Sequence, residues 1–570
     1  MRWLSALAVL ALSATSVAAQ PTRAETPGEL LALAKEFREW RRADAGAVPD
    51  YAARVQEQKK RIGEFKRRLE ALQDDRWPVS TKVDYLVVRS EMDRLDFELN
   101  VIRQVSRNPD FYLNEAVRRV TRHIGGRYQM GPNVTVPYDA KRAAAIVAAL
   151  NETAAVVEQA PKNLTEAVGE MADMTLERLV DIRKNYGEFA KAVAPHLPEP
   201  QRTQLGPAAE AAAGALEKYG DWIRANRQNM RAPLPIGRAA FDWYVQHVLF
   251  FPYSSEELLT QAVLERDRGW AFLQFERQKN RRLPPPRRAK SNAEYSEWKD
   301  ATDVLARMWA EEYELFTRPE GLGSMRHEDG GIYIEPFGPM SFPTTAKPAG
   351  TKTEFLFPPD HFFNHNYWNT GHRMDPGVNH AHSDYPGHTF EGWVSQRTTS
   401  DIRRGHNTRG DSWCYYMEEA QLQLDFPFVN GPRTREWMYS LHIMRAERVY
   451  VAVKFADGTM KPADVERHFM QTVPGMEPHV AKQHEVWRKF TDPAQVLTYQ
   501  VGRTEVYKLL RDRMMQLGDR FNFREFHDQL LATGQIPITL ARWELTGLDD
   551  QVRHLWKSQP LSAITASRAD

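Results

Sequence analysis

From about Thr26 to Glu320, apolar residues recur at spacings of three and four through text rich in Ala, Leu, Glu, Arg and Lys. That period draws one apolar stripe along a helix and none along a strand, so the first half of the chain has to be built from packed helices. Ile62, Phe65, Leu69 and Leu72 make one such stripe, and Leu164, Val168, Met171, Leu179 and Ile182 make another. Both are read as core and carry no chemistry. The helical text breaks between Lys279 and Lys290, where Pro284-Pro285-Pro286 is flanked by Arg281, Arg282, Arg287 and Arg288. Three prolines cannot sit inside a helix, so this is read as an exposed connector in preference to a basic binding patch. No internal repeat of solenoid period is visible.

Between Gly321 and Gly377 the text turns to Gly, Pro, His and aromatics, with a strand-like Gly331-Ile332-Tyr333-Ile334. Helical patterning resumes after Asp411, broken by one strand-like run from Arg448 to Phe455 that closes at Asp457-Gly458. The expected fold is mainly α, a large helical unit with a small β-sheet near the active-site cleft. Within 570 residues there is room for several packed cores. The expected division is a leader over residues 1–19, a helical region over 20–320 and a metal-site region over 321–570, the last two packed into one unit with a cleft.

The leader expectation rests on Arg2, an apolar run from Trp3 to Leu12 and the small residues Val17-Ala18-Ala19, with cleavage after Ala19. The run is short for a membrane span, and no later stretch supplies one. The reading is an exported chain, periplasmic or secreted. Cys414 is the only cysteine, so no intramolecular disulfide helps to hold it. Basic residues number 76 against 75 acidic, and losing Arg2 with the leader balances them at 75 each. Nothing in that charge recruits nucleic acid or an anionic membrane.

Histidine is spread very unevenly. His361, His365, His372, His380, His382, His388 and His406 put seven of the 17 inside 46 residues, where even spreading gives about one. Such clustering favours a metal or proton-transfer site, although His361, His365 and His406 taken singly read as satisfied turn histidines. The sharpest string is His382-Ser383-Asp384-Tyr385-Pro386-Gly387-His388. Two histidines six apart on a straight helix point about 120° away from each other. Pro386 ends regular hydrogen bonding and Gly387 allows unusual backbone angles, so a corner between the histidines can turn both imidazoles to one ion. A helix starting at His388 then sets Glu391 one turn on, along the same side. A carboxylate from a later helix would complete the set. Asp411, Tyr415 and Glu418, at i, i+4 and i+7, offer one on a shared face, while as ordinary residues Asp411 would be an N-cap and Glu418 a solvated or capping charge.

The blocks HSDYPGH, DSWCYYMEE, EVWRKFTDPAQVLTYQVGR and FNFREFHDQLLATGQIPI, in that order and spacing, resemble the bacterial family catalogued as domain of unknown function 885, regarded as zinc metallopeptidases of the gluzincin type. Val83 to Asn114 is similar to the family's N-terminal helices. The resemblance implies a largely helical metallopeptidase fold in which His382, His388 and Asp411 hold Zn2+ or another divalent ion. It also implies a glutamate directly after the first histidine, acting as general base toward water. That position is Ser383 here. The third ligand is the shorter Asp411, a strand that usually carries Asp and then His reads Ala452 and Ala456, and Thr389 and Glu391 replace a typical His and Gln.

The substitute bases are Asp384 and Glu391, with His380 able to add a ligand or a base, although Asp384 also reads as a cap for the next helix. Tyr499 and Arg503, one helical turn apart, are the donors expected to stabilise an oxyanion or hold a peptide carboxylate. His484-Glu485 has no partner histidine and is incidental. The preferred function is an exported metal-dependent hydrolase of peptides or small amides. The alternative is a non-catalytic peptide- or metal-binding scaffold that lost the general base, and a third reading is an iron or copper redox protein.

Overall fold

The computed structural model describes residues 26–42, 46–125, 134–323, 325–329, 331–345, 352–356, 371, 374–404, 406–477, 492–557 and 559–565; for 325–329 and 352–356 it describes the backbone. The leader, His361, His365, His372 and His484-Glu485 lie outside the described residues.

The chain is mainly α, as the spacing predicts. Long helices run over Gly28–Arg42, Tyr51–Ala71, Val79–Phe97, Gln201–Asn226, Ser255–Lys279, Asn292–Glu312, Thr434–Ala456 and Leu497–Leu517. Among the described residues the β structure is two separate strand pairs. Met325–Asp329 pairs in parallel with Lys352–Leu356, and Ile332–Ile334 pairs antiparallel with Gly338–Met340. The parallel pair lies along the Asn292–Glu312 helix, whose Asp303 reaches His380. The antiparallel pair packs elsewhere: Phe337 stacks on Phe189 at 4.1 Å, and Ile334 and Met340 join the core of the helices between 110 and 226.

The largest core joins the two ends of the chain. Leu30, Phe37, Ile62, Phe65 and Leu86 share it with Trp413, Met444, Leu509 and Leu540. Polar contacts cross the same seam. Arg403 and Asp84, both fully buried, meet at 2.7 Å, and His406 Nδ1 lies 2.6 Å from Glu91. His406 is thus the satisfied histidine that its single reading expects, with Thr408 on its other nitrogen.

The Ile62, Phe65, Leu69 stripe is core as expected. The second stripe is not one helix. Val168 and Met171 lie on the Gly169–Arg178 helix and its N-cap and face the large core, whereas Leu179 and Ile182 belong to the next turn and helix and enter the core of the 110–226 layer. The prolines 284–286 do form an exposed connector between helices.

One expectation is overturned. Arg448 to Phe455 is the last part of the helix Thr434–Ala456, not a strand. Val449, Val451 and Val453 are all buried, because neighbours cover this helix on all but the side that carries Tyr450 and Lys454. Ser255–Lys279 packs so closely along it that a Cβ at Gly269 would sit 2.9 Å from Ile443. A helix covered on nearly all sides shows little amphipathic period, and its β-branched run then imitates a strand. Asp457-Gly458 is a real stop signal, with Gly458 at φ 82° just beyond the helix end.

Candidate metal centre

The helix Gly377–Ser383 carries His382 and ends at Asp384, and the helix His388–Ser395 begins four residues later. The corner between them is the one that proline and glycine predict, but glycine is required for closeness more than for its torsions. Gly387 has φ −80°, and a Cβ there would lie 1.9 Å from the His382 carbonyl oxygen. The corner is pinned by Thr389 Oγ1 donating to Ser383 O at 3.0 Å and by Trp413 Nε1 donating to Pro386 O at 2.7 Å. Tyr385 anchors it in the core against Phe316 and Phe390.

This geometry brings the three proposed ligands together. His382 Nε2 lies 3.3 Å, and His388 Nε2 3.1 Å, from the same Asp411 oxygen, and one donor atom from each residue falls within 4.8 Å of the others. The two imidazoles stand nearly perpendicular, at 86°. Asp411 is the N-cap residue of Ser412–Gln423 by position, yet its side chain makes no cap hydrogen bond and turns to the histidines instead. Two imidazole nitrogens and a carboxylate oxygen match the donor set of a zinc-like borderline ion. The site opens on one side, since the His388 side chain is 32 % exposed against 11 % for His382 and 8 % for Asp411.

A second layer holds these donors. His382 Nδ1 lies 2.8 Å from Glu418 Oε1, in close contact though off the line of a hydrogen bond. Glu418, expected as a solvated charge, is completely buried and gripped by both arms of Arg445. The second Asp411 oxygen accepts from Gln495 Nε2 at 2.9 Å and Thr498 Oγ1 at 3.2 Å. A carboxylate behind a ligating imidazole and donors behind a ligating carboxylate are the usual supports of a metal ligand set.

The electrostatics follow from this packing. Burial alone would raise the Asp411 carboxyl, but the imidazoles of His382 and His388 outweigh it and hold the group well below the usual carboxylate range. Burial would likewise depress His382, and Asp411 with Glu418 more than compensates, so its pKa is raised. Glu418 is lowered because Arg445 and His382 overcome its desolvation.

The substitute bases are all engaged. Ser383 Oγ donates to Asn379 Oδ1 at 3.0 Å. Asp384 is buried with its carboxylate 3.3 Å from His380 Nδ1, and His380 reaches Asp303 on its other side at 3.3 Å. The N-cap position of the helix at His388 is Gly387, and Asp384 meets that helix through its carbonyl oxygen, which accepts from Phe390 N at 3.1 Å. Glu391 is 1 % exposed, paired with Arg409 at 3.0 Å and accepting from Gln535 at 3.1 Å. Donor atoms of His388, Glu391 and Cys414 also come within 4.8 Å of each other. The Arg409 guanidinium on Glu391, and a thiol that burial keeps protonated, make that group a poor seat for a cation.

The two distal donors part company. The Tyr499 ring lies parallel to the His382 ring at 5.7 Å, with Arg445 and Arg448 over it at 5.2 and 5.4 Å. Arg503 is fully buried and spent on Glu419 and Glu265. Sequence reasoning missed Gln495, Thr498 and Arg445. The first two stand in the same resembling block as Tyr499, and they reach Asp411 because Gly502 admits Ser412, whose Oγ would be 2.0 Å from a Cβ there.

No curated protein matches the chain. Among solved structures, the fold is similar to that of a "putative lipoprotein of unknown function" from Shewanella oneidensis, with TM-score 0.64 and 14 % identity over 90 % of this chain and 97 % of that one. It is also similar to a "putative lipoprotein" from Colwellia psychrerythraea, with TM-score 0.62 and 14 % identity over 87 % and 90 % of the two chains. At that identity the likeness is one of fold. No helix among the described residues is long and apolar enough to cross a membrane. Residues 338–545, which carry the corner, the three convergent donors and their supports, match the model of the family described as bacterial protein of unknown function (DUF885).

Proposed function

We propose that this chain is an exported metal-binding protein that holds one divalent ion, zinc by the character of its donors, on His382, His388 and Asp411. It binds a peptide or small amide beside that ion without a positioned general base. The observation that carries the proposal is the meeting of both imidazole Nε2 atoms on one Asp411 oxygen, with Glu418, Gln495 and Thr498 behind them. When bound, such an ion supplies Lewis-acid polarisation of a carbonyl oxygen.

The chain's own residues orient and support. Glu418 and Arg445 fix the His382 ring, Gln495 and Thr498 fix the Asp411 carboxylate, and Tyr499 walls one face of His382. Proton removal from water is the missing function. Ser383 cannot accept a proton usefully at neutral pH, Asp384 is held by His380, and Glu391 is held by Arg409 and Gln535. A general base in position contributes about 10²–10⁴-fold, which is the deficit assigned to this site.

Hydrolysis is the second reading, and one observation favours it: Glu391 stands beside His388, within the second convergent group. A broad peptide panel assayed with the zinc-loaded chain and with Ser383→Glu separates the two. The scaffold reading expects negligible cleavage by the natural chain and a rise of about 10²-fold or more in the variant. Efficient cleavage by the natural chain, abolished by Glu391→Gln, would overturn it in favour of the hydrolase.

A further inference from the structure

Remote in sequence from the metal centre is a pocket of about 640 Å3 that shares none of its residues. That volume lies within the roughly 300–1,000 Å3 of small-molecule sites. Its walls are the helix Tyr51–Ala71, the segment after Val79–Phe97 and the start of Asp110–Thr121, with Lys162 and Glu166 closing one side. Tyr51, Val55, Leu99 and Phe111 give it an apolar lining, and Tyr51 and Phe111 meet edge to face at 5.2 Å.

The backbone at the pocket is irregular. Val79–Phe97 runs into a π-helical turn, Glu98–Ile102, which ends at Arg103 with φ 51° and ψ 51° before a short helix resumes at Gln104. π-turns and left-handed residues other than glycine are costly and concentrate at functional sites. Here they place Glu98, Leu99 and Arg103 on the pocket wall.

The charges leave a surplus of one sign. Three carboxylates line the pocket and each already has a guanidinium: Glu98 with Arg41 at 3.3 Å, Glu166 with Arg103 at 2.6 Å and Glu115 with Arg118 at 2.9 Å. Arg54, Lys59 and Lys162 line it too, and they have no carboxylate partner among the described residues. Arg103 also keeps a buried Nε without an acceptor. A lining that is apolar at its walls, neutral in its paired charges and cationic in its remainder matches one ligand chemistry.

We propose that this pocket binds an organic anion with an apolar body, a carboxylate or phosphate head on an alkyl or aryl chain, held by Arg54, Lys59, Lys162 and Arg103 over the Tyr51–Phe111 lining. The test is calorimetric titration of the full chain with decanoate and with decyl phosphate, beside decanol and decylammonium as uncharged and cationic counterparts. Saturable one-to-one binding is expected for an anion and not for its counterparts, and the better of the two anions identifies the head group. The double variant Lys59→Glu, Lys162→Glu, on accessible side chains, should weaken that binding by about tenfold or more with circular dichroism unchanged. His382→Ala should leave it unaltered. Absence of saturable binding, equal binding of decanol, or an unaffected double variant would each overturn the proposal.

Discussion

Glu418 shows how one side chain changes meaning between sequence and fold. On a helical wheel it is an acidic residue that water would satisfy. In the structure it is fully buried, bonded to Arg445 and set against the far nitrogen of His382. Removing a carboxylate behind a ligating imidazole costs about 10–100-fold in metal affinity, and Glu418→Gln is predicted to show that loss in a competitive chelator titration while the ion-to-chain ratio at saturation stays unchanged. Two other buried histidines make the fold sensitive to acid. Burial pushes both His247 and His527 down to about 4. Below pH 6.5 the unfolded chain takes up protons that these sites refuse, so their contribution to stability falls as pH drops from 6.5 toward 4 and changes no further below that. Urea unfolding followed across this range should show the slope, and His527→Gln should flatten it.

At the scale of elements, the corner between the helices that carry His382 and His388 is the decisive piece. A methyl group on Gly387 would strike the carbonyls of His382 and Ala381, at 1.9 and 2.5 Å, and neither is the end of a flexible side chain. Gly387→Ala is therefore predicted to lower the melting temperature and to abolish ion retention, measured side by side on the purified variant. This corner was legible because its signal is local: two histidines at a spacing no straight helix can use, with proline and glycine between them. The helix over 434–456 was not legible at its end, because burial of nearly every residue there erases the period that distinguishes helix from strand. Gln495, Thr498 and Arg445 were invisible for another reason. Ordinary polar residues become ligand supports only when distant helices meet, and the meeting depends on the absent side chain of Gly502.

The molecule as a whole is closed by its ends, with the N-terminal helices sharing the core of the segment that carries the site. Arg403 is the buried tie, bound to Asp84 on one side and Glu544 on the other. Arg403→Met would strand two carboxylates, and breaking a buried pair from one side costs about 3–5 kcal/mol, to be read from the urea midpoint. Asp84→Leu added to it should recover part of that loss, since the stranded charge is removed. The proposed ligands His382, His388 and Asp411 stand within this closed unit, so their arrangement is set by the global fold and not by the loop chemistry alone.

The most direct test of the account is the zinc content of the purified chain, by mass spectrometry after exchange into buffer containing trace zinc, beside His382→Ala and Asp411→Ala. About one ion per natural chain and a near-complete loss in both variants, with folding intact, is the predicted result. A natural chain that retains no ion, or variants that retain as much as it does, would contradict the assignment of His382, His388 and Asp411 as a metal centre.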